Sequence, residues 1–220
     1  MIEDRLEEYI EKHTSPEPAL LYELRRRTFL NTAFPRMLSG PVQGRFLEMI
    51  SRMISPARIM EIGTFTGYSA ICLAQGLAEN GILHTIEAEG AYAEIAREYF
   101  EKASLKDKII LHEGDALKII PSLDETFDLV FIDAAKEHYC DYYHLAFDKV
   151  RKGGFILADN TLWDGKVVET RGQGDKETGR QGDMETRGIV EFNKMVQADD
   201  RVENVLLSVR DGVMIIRKIR

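Results

Sequence analysis

From Arg58 onward the chain alternates short apolar runs with amphipathic stretches, and this rhythm constrains the fold more than any other feature. The runs are Ile59-Met60-Glu61-Ile62, Leu83-His84-Thr85-Ile86, Lys108-Ile109-Ile110-Leu111, Leu129-Val130-Phe131-Ile132 and Phe155-Ile156-Leu157-Ala158. Helical spacing falls between them, over residues 67–79, 91–104, 116–121 and 138–149. Five strands alternating with helices imply a parallel sheet with right-handed crossovers, covered on both faces. The rhythm then changes. Residues 188–198 read as a helix, and the apolar runs Val202 to Val209 and Val213 to Ile219 meet at Arg210-Asp211-Gly212, where Asp-Gly signals a hairpin. The expected fold class is α/β: a doubly wound, seven-stranded sheet, mostly parallel, finished by an antiparallel hairpin.

The remaining segments are assigned around that sheet. Residues 1–55 read as an N-terminal helical cover, with Leu6, Tyr9 and Ile10 on one stripe and Phe46, Leu47, Ile50, Met53 and Ile54 at helical spacing. Residues 56–160 form the cofactor and metal half, and 188–220 the closing helix and hairpin. Between them lies a tandem repeat: Glu169-Thr170-Arg171-Gly172-Gln173-Gly174-Asp175-Lys176 recurs imperfectly from Glu177 to Met184 and begins again at Glu185. It carries almost no apolar side chains to offset the entropy of ordering, so 161–187 is expected to be a mobile loop, either a duplicated linker or a lid. All 220 residues fit one domain.

Composition excludes several classes. The excess of 37 Asp+Glu over 29 Lys+Arg, net charge −8, weighs against broad nucleic-acid binding. Cys72 and Cys140 form no disulfide framework or CxxC pair. No leader-like apolar segment opens the chain, and no apolar run reaches the ~18 residues a spanning helix needs. A soluble, cytoplasmic protein with no membrane partner is expected.

Strand ends carry the chemistry, because ligands of open α/β sheets sit outside the carboxyl ends of the strands. The first strand leads into Glu61-Ile62-Gly63-Thr64-Phe65-Thr66-Gly67-Tyr68-Ser69, where Gly63 and Gly67 allow a tight turn and close ligand approach. A third glycine for a dinucleotide fingerprint is missing, and so is a Walker A loop. The second strand ends in Glu87, with Glu89 nearby, and the third leads into Glu113-Gly114-Asp115-Ala116. Each acid taken alone reads as a helix cap, Asp115 before Ala116 being one. Together they suit a cationic cofactor without phosphate, such as the adenosyl sulfonium of S-adenosylmethionine.

These runs, with Phe127-Asp-Leu-Val-Phe-Ile-Asp-Ala-Ala-Lys136 and Ala158-Asp-Asn-Thr-Leu-Trp163, resemble the class I, divalent-metal-dependent O-methyltransferases of the catechol and caffeoyl-CoA type. The resemblance spans roughly residues 35–219 and implies a Rossmann-like sheet. It also implies that Met37, Ser39, Glu61, Gly63, Gly67, Tyr68, Ser69, Glu87, Asp115, Ala116 and Asp133 line the cofactor site.

Asp133 ends the fourth strand and Asp159-Asn160 the fifth, which brings two carboxylates and an amide oxygen to one sheet edge. Such hard ligands suit Mg²⁺, or Mn²⁺ or Ca²⁺, better than zinc; the family holds its metal at the same three positions. The capping alternative for each of them stays open on sequence alone. Lys136, near a cation and partly desolvated, is expected to have a lowered pKa and to act as the base, its position in the family. Asp133 and Lys136 are thus the catalytic candidates, with Lys136 and Trp163 against the acceptor and Tyr68 as a second wall.

The acceptor is expected to be a small catechol-like or phenolic molecule, with Tyr139, Tyr142 and Tyr143 either lining its pocket or forming core. The alternative is tRNA bearing wobble 5-hydroxyuridine, which bacterial short forms of the family methylate, with Arg25-Arg26-Arg27 and Arg217-Lys218-Ile219-Arg220 as phosphate contacts. A non-catalytic cofactor-binding module is disfavoured by the intact Asp133, Lys136, Asp159 and Asn160. Apolar N-terminal helices left uncovered would point to a homodimer.

Overall fold

The central apolar runs become strands because the sheet buries them on both faces, whereas Ile110, Val205 and Leu206 in the edge runs are exposed. β1 (Arg58–Ile62) is buried from Ile59 to Ile62, β2 (Ile82–Glu87) from Leu83 onward, and β4 (Phe127–Ile132) at every residue but Asp128. With β3 (Ile109–Glu113), β5 (Val150–Asp159), β6 (Val202–Leu207) and β7 (Val213–Lys218) they form one seven-stranded sheet in the order β3-β2-β1-β4-β5-β7-β6. The computed structural model describes residues 2–169 and 181–220, with side chains at 5–168 and 184–220. β1 with β4, β4 with β5 and β2 with β3 pair in parallel; β7 is antiparallel to both β5 and β6. The expected α/β, doubly wound architecture is the one observed, and the order reverses between β1 and β4. Among the described residues no helix is long and apolar enough to cross a membrane.

Backbone proximity groups the chain into two compact units, residues 1–57 with 64–114 and residues 58–63 with 115–220. The first holds α1 (Ile2–Lys12), α2 (Ala19–Asn31), α3 (Gly40–Ile54), α4 (Tyr68–Ala74) and α5 (Gly90–Lys102), together with β2 and β3. α3 buries Gln43, Gly44, Leu47, Glu48 and Ser51, one helical face, and small residues there bring it close to α4. A Cβ on Gly44 would lie 2.6 Å from the Tyr68 ring, and Ser51 Oγ donates to the Leu73 carbonyl at 2.6 Å. On α1 the stripe of Leu6, Tyr9 and Ile10 is exposed rather than packed.

The second unit holds β1, β4 to β7, α6 (Ala116–Ser122), α7 (Tyr139–Lys149), α8 (Lys166–Glu169) and α9 (Gln181–Ala198). Tyr139, Tyr142 and Tyr143 are buried on α7, so this aromatic run is core and does not line an open pocket. The loop expected over 161–187 is corrected at both ends. A 3₁₀ turn at Trp163–Gly165 and α8 occupy its start, and α9 begins at Gln181 instead of Gly188. Ile189, Phe192 and Val196 are wholly buried on one face of α9. Once that face nucleates the helix, upstream residues join at little cost even without apolar side chains. The rest of the repeat, 170–180, lies outside the described residues. The β6–β7 connection is also longer than expected, since Leu207 pairs with Val213 and five residues form the loop.

Gly188 shows why α9 sits so close to the sheet end. A Cβ there would lie 2.4 Å from the Lys136 carbonyl oxygen and 2.9 Å from Glu137 Cα. Replacing a helical glycine by alanine ordinarily stabilises by about 1 kcal/mol. Here Gly188→Ala is expected to lower the urea midpoint by the equivalent of about 1–3 kcal/mol, because backbone has to move. A raised midpoint would show that α9 is not packed in this way.

Candidate active site

The parallel register pairs Ile132 of β4 with Ala158 of β5, so Asp133 and Asp159 leave the sheet as neighbours. Asp133 is seated from the β1 side: its N–H donates to the Ile62 carbonyl at 2.9 Å, and a Cβ on Gly63 would lie 2.0 Å from the Asp133 carbonyl oxygen. Gly63 has φ +99°, so glycine is required there twice over, by conformation and by space. After Asp133 the chain forms a 3₁₀ turn at Lys136–His138 and enters α7. That turn folds Lys136 back, where its Nζ donates to Asp133 Oδ1 at 2.9 Å and to the Tyr139 hydroxyl at 2.8 Å. The Tyr139 hydroxyl in turn donates to the Asp159 carbonyl at 3.0 Å.

Lys136 is 8% exposed and Asp159 3%. Burial presses the Lys136 ammonium toward its neutral form, but the carboxylates of Asp133 and Asp159 and the hydrogen bond to the Tyr139 hydroxyl outweigh it, and the pKa lies above the ordinary lysine value. The expected lowering is therefore corrected: two carboxylates and a phenol surround the amine, which is cationic at neutral pH. Burial, stronger than the neighbouring ammonium, likewise raises the Tyr139 phenol.

Asn160 follows in the left-handed region at φ 56°, and Trp163 and Asp164 share that conformation at 49° and 51°. Each such non-glycine residue costs about 1–3 kcal/mol and persists only where its surroundings impose it. The Asn160 amide nitrogen donates to Asp211 Oδ2 at 3.3 Å, which turns the amide oxygen to the other side. Lys166 Nζ lies 5.4 Å from the centre of the half-buried Trp163 ring. Two carboxylates and an outward amide oxygen make an all-oxygen donor set, the chemistry of a hard divalent cation. Among the described residues no three His, Cys, Asp or Glu side chains cluster as a metal site. His84 Nδ1 and His112 Nε2 bond each other at 3.0 Å, in keeping with the poor case for zinc.

In the other unit the glycine turn is built around Glu87. Its Oε2 accepts from Phe65 N–H at 2.6 Å and its Oε1 from Glu89 N–H at 2.9 Å, with Phe65 held at φ 50°. Burial is the largest influence on this carboxyl and raises its pKa against those hydrogen bonds. The Ala88 N–H acts on it as well, and a carboxylate has about four acceptor positions, so at least one remains for a cofactor hydroxyl. Gly67, at φ +92°, opens α4, and a Cβ there would lie 2.7 Å from the Phe100 ring.

Other expected residues fall differently. Ser39, Glu61 and Ser69 are buried, whereas Met37 is 58% exposed at the end of a 3₁₀ turn. Tyr68 is buried with its hydroxyl on Glu17 at 2.8 Å and its ring against Gly44. Asp115 caps α6, accepting from Leu117 N–H at 2.9 Å, next to a half-buried Ala116. Sequence reasoning weighs Tyr139 as an acceptor-pocket residue, not as the partner of Lys136, and does not single out Asp211 as a site residue at all. The spacing Lys136-x-x-Tyr139 was a usable signal for that partnership; Asp211 carried none beyond its hairpin turn.

Comparison with known proteins bears on the family and the fold. Residues 11–219 match the family model described as O-methyltransferase. Caffeoyl-CoA O-methyltransferase of Petroselinum crispum is 35% identical, over 98% of this chain and 91% of that protein. An O-methyltransferase from Bacillus cereus, solved with SAH, superposes with a TM-score of 0.87 at 30% identity, covering 99% of this chain and all of the other. An SAH-bound methyltransferase from Podospora anserina reaches a TM-score of 0.89 at 28% identity, with 100% and 96% covered. The chain belongs to the O-methyltransferase family.

Proposed function

We propose that this chain works as one domain that transfers a methyl group from S-adenosylmethionine to one hydroxyl of a vicinal diol on a small phenolic acceptor, either free or linked to coenzyme A. The observation that carries this reading is the linked set of buried Lys136, Tyr139 and Asp159 with half-buried Asp133 at adjacent strand ends, followed directly by Asn160, whose amide nitrogen is taken by Asp211. A binding module needs no such set. Relatives named as caffeoyl-CoA O-methyltransferases and neighbours solved with SAH support the acceptor class and the cofactor.

Asp133, Asp159 and Asn160 would hold a divalent cation, Mg²⁺ by its preference for oxygen. When bound, such an ion supplies a lowered pKa to a coordinated hydroxyl and fixes the orientation of a chelating diol. Lys136 contributes charge: an ammonium has three N–H donors, Asp133 and Tyr139 take two, and the third would face the acceptor oxygen, whose proton leaves to solvent as the methyl group passes from the sulfonium, which departs as the neutral thioether. Tyr139 keeps that ammonium in place. Glu87 accepts from the ribose of the cofactor, and the backbone around Gly63 to Ser69, with Met37, Ser39, Glu61, Asp115 and Ala116, completes its site. Trp163 is the acceptor wall. Exposed Leu6, Tyr9, Ile10, Met49 and Met53 support a homodimer, and we place the protein in the cytoplasm.

A tRNA acceptor has less support. Arg25 pairs with Glu17 at 2.8 Å, Arg217 with Glu203 at 3.2 Å and Arg220 with Asp200 at 3.0 Å, so the proposed phosphate-binding clusters are in part neutralised by the chain itself.

Two outcomes test the reading. Lys136→Met, assayed with caffeoyl-CoA, is expected to lose at least ~100-fold in kcat while S-adenosylmethionine still binds; undiminished turnover would remove Lys136 from the chemistry. Glu87→Ala is expected to weaken S-adenosylmethionine binding about 10- to 100-fold by calorimetry, the loss of charge-assisted hydrogen bonding to the ribose. An unchanged affinity would place the ribose elsewhere.

A further inference from the structure

The C-terminal hairpin turn contributes more to the site than a chain reversal. Asp211 Oδ2 accepts from the Asn160 amide nitrogen at 3.3 Å, and its Oδ1 accepts from Asp164 N–H at 2.6 Å. The Asp211 carbonyl accepts from Leu162 N–H at 2.9 Å and the Gly212 carbonyl from Thr161 N–H at 3.0 Å. On the other side of the loop, Asn193 of α9 donates its side-chain amide to the Thr161 carbonyl at 2.8 Å. The approach is close enough that Gly212, at φ +89°, would place a Cβ 2.6 Å from Leu162 Cγ. A loop with left-handed residues at 160, 163 and 164 is thus held mainly by one carboxylate and the backbone beside it.

We infer that Asp211 is a positioning residue that sets which end of the Asn160 amide faces the candidate metal position. The two ends of an asparagine amide have nearly the same shape, so packing alone does not choose between them; hydrogen-bond partners do. A carboxylate only accepts. Facing Asn160, Asp211 takes the nitrogen and leaves the oxygen as the ligand atom. Its second oxygen, held by Asp164 N–H, keeps the carboxylate from turning away. An asparagine at 211 cannot serve both donors, because one of its two terminal atoms is itself a donor. Outer partners that orient a metal ligand typically matter 10- to 100-fold in metal affinity.

The inference rests on the metal reading proposed above, and the experiment separates the two. Mn²⁺ binding is measured by calorimetry on the full chain freed of metal, together with its urea midpoint without metal. Asp159→Ala should abolish Mn²⁺ binding; if it binds as the unaltered chain does, the metal reading fails and the inference with it. Asp211→Asn should weaken Mn²⁺ binding about 10- to 100-fold. The swapped pair Asn160→Asp with Asp211→Asn restores an acceptor facing a donor and presents an oxygen whichever way it turns, so it should regain most of that loss. If Asp159→Ala abolishes binding while Asp211→Asn leaves it unchanged, the positioning role is overturned and the metal site stands. It is equally overturned if the swapped pair binds no better than Asp211→Asn alone, which would leave Asp211 a merely structural part of the hairpin. The midpoints apply the same criterion: recovery of Mn²⁺ affinity in the swapped pair without recovery of the midpoint separates orientation from folding.

Discussion

A buried ammonium organises this site. Lys136 is held out of water, a position that an isolated charge does not tolerate. It is sustained by Asp133, three residues earlier, and by the Tyr139 phenol, three residues later. The consequences reach into the fold. Tyr139 bonds the Asp159 carbonyl and so ties the end of β5 to the start of α7. Gly188 lets α9 close over the carbonyl of the same lysine, and Gly63 makes room for the carbonyl of the same aspartate. Two glycines far apart in sequence thus serve one charge cluster.

The parallel register does the rest of the positioning. Because Ile132 pairs with Ala158, Asp133 and Asp159 emerge together without any local sequence signal linking them. The price is strain immediately beyond, where Asn160 turns in the left-handed region and the hairpin must hold it. Stability and function meet in that loop, since the bonds that offset the strain also orient the amide.

The ends of the fourth and fifth strands are legible in the sequence because buried parallel strands are apolar along their length, so the first polar residue after each run stands out, as at Asp133 and Asp159. Orders and types of the core elements followed from the same contrast. What was not legible depends on partners brought from elsewhere. The sign of the Lys136 shift reverses once two carboxylates and a phenol are counted around it, and the chain before Asp133 says nothing of Tyr139 or Asp159. Tyr68 stands directly after the glycine turn, and nothing near it in the sequence shows that Glu17, in the link before α2, takes its hydroxyl. Asp211 read as a turn former, which it is; its bond to Asn160 exists only because β7 lies antiparallel beside β5. Helix α9 begins within a repeat that has no apolar pattern, since its anchoring face lies downstream.

In the proposed reaction two vicinal oxygens of the acceptor are gripped at the Asp133, Asp159 and Asn160 position while one of them is methylated. Transfer of a labelled methyl group from S-adenosylmethionine tests it most directly when caffeoyl-CoA is compared with the matching monophenol, each with Mg²⁺ and with excess EDTA. Labelling of the diol alone, and only with Mg²⁺, is expected. Equal labelling of the monophenol, or transfer to the diol that EDTA leaves untouched, would contradict it.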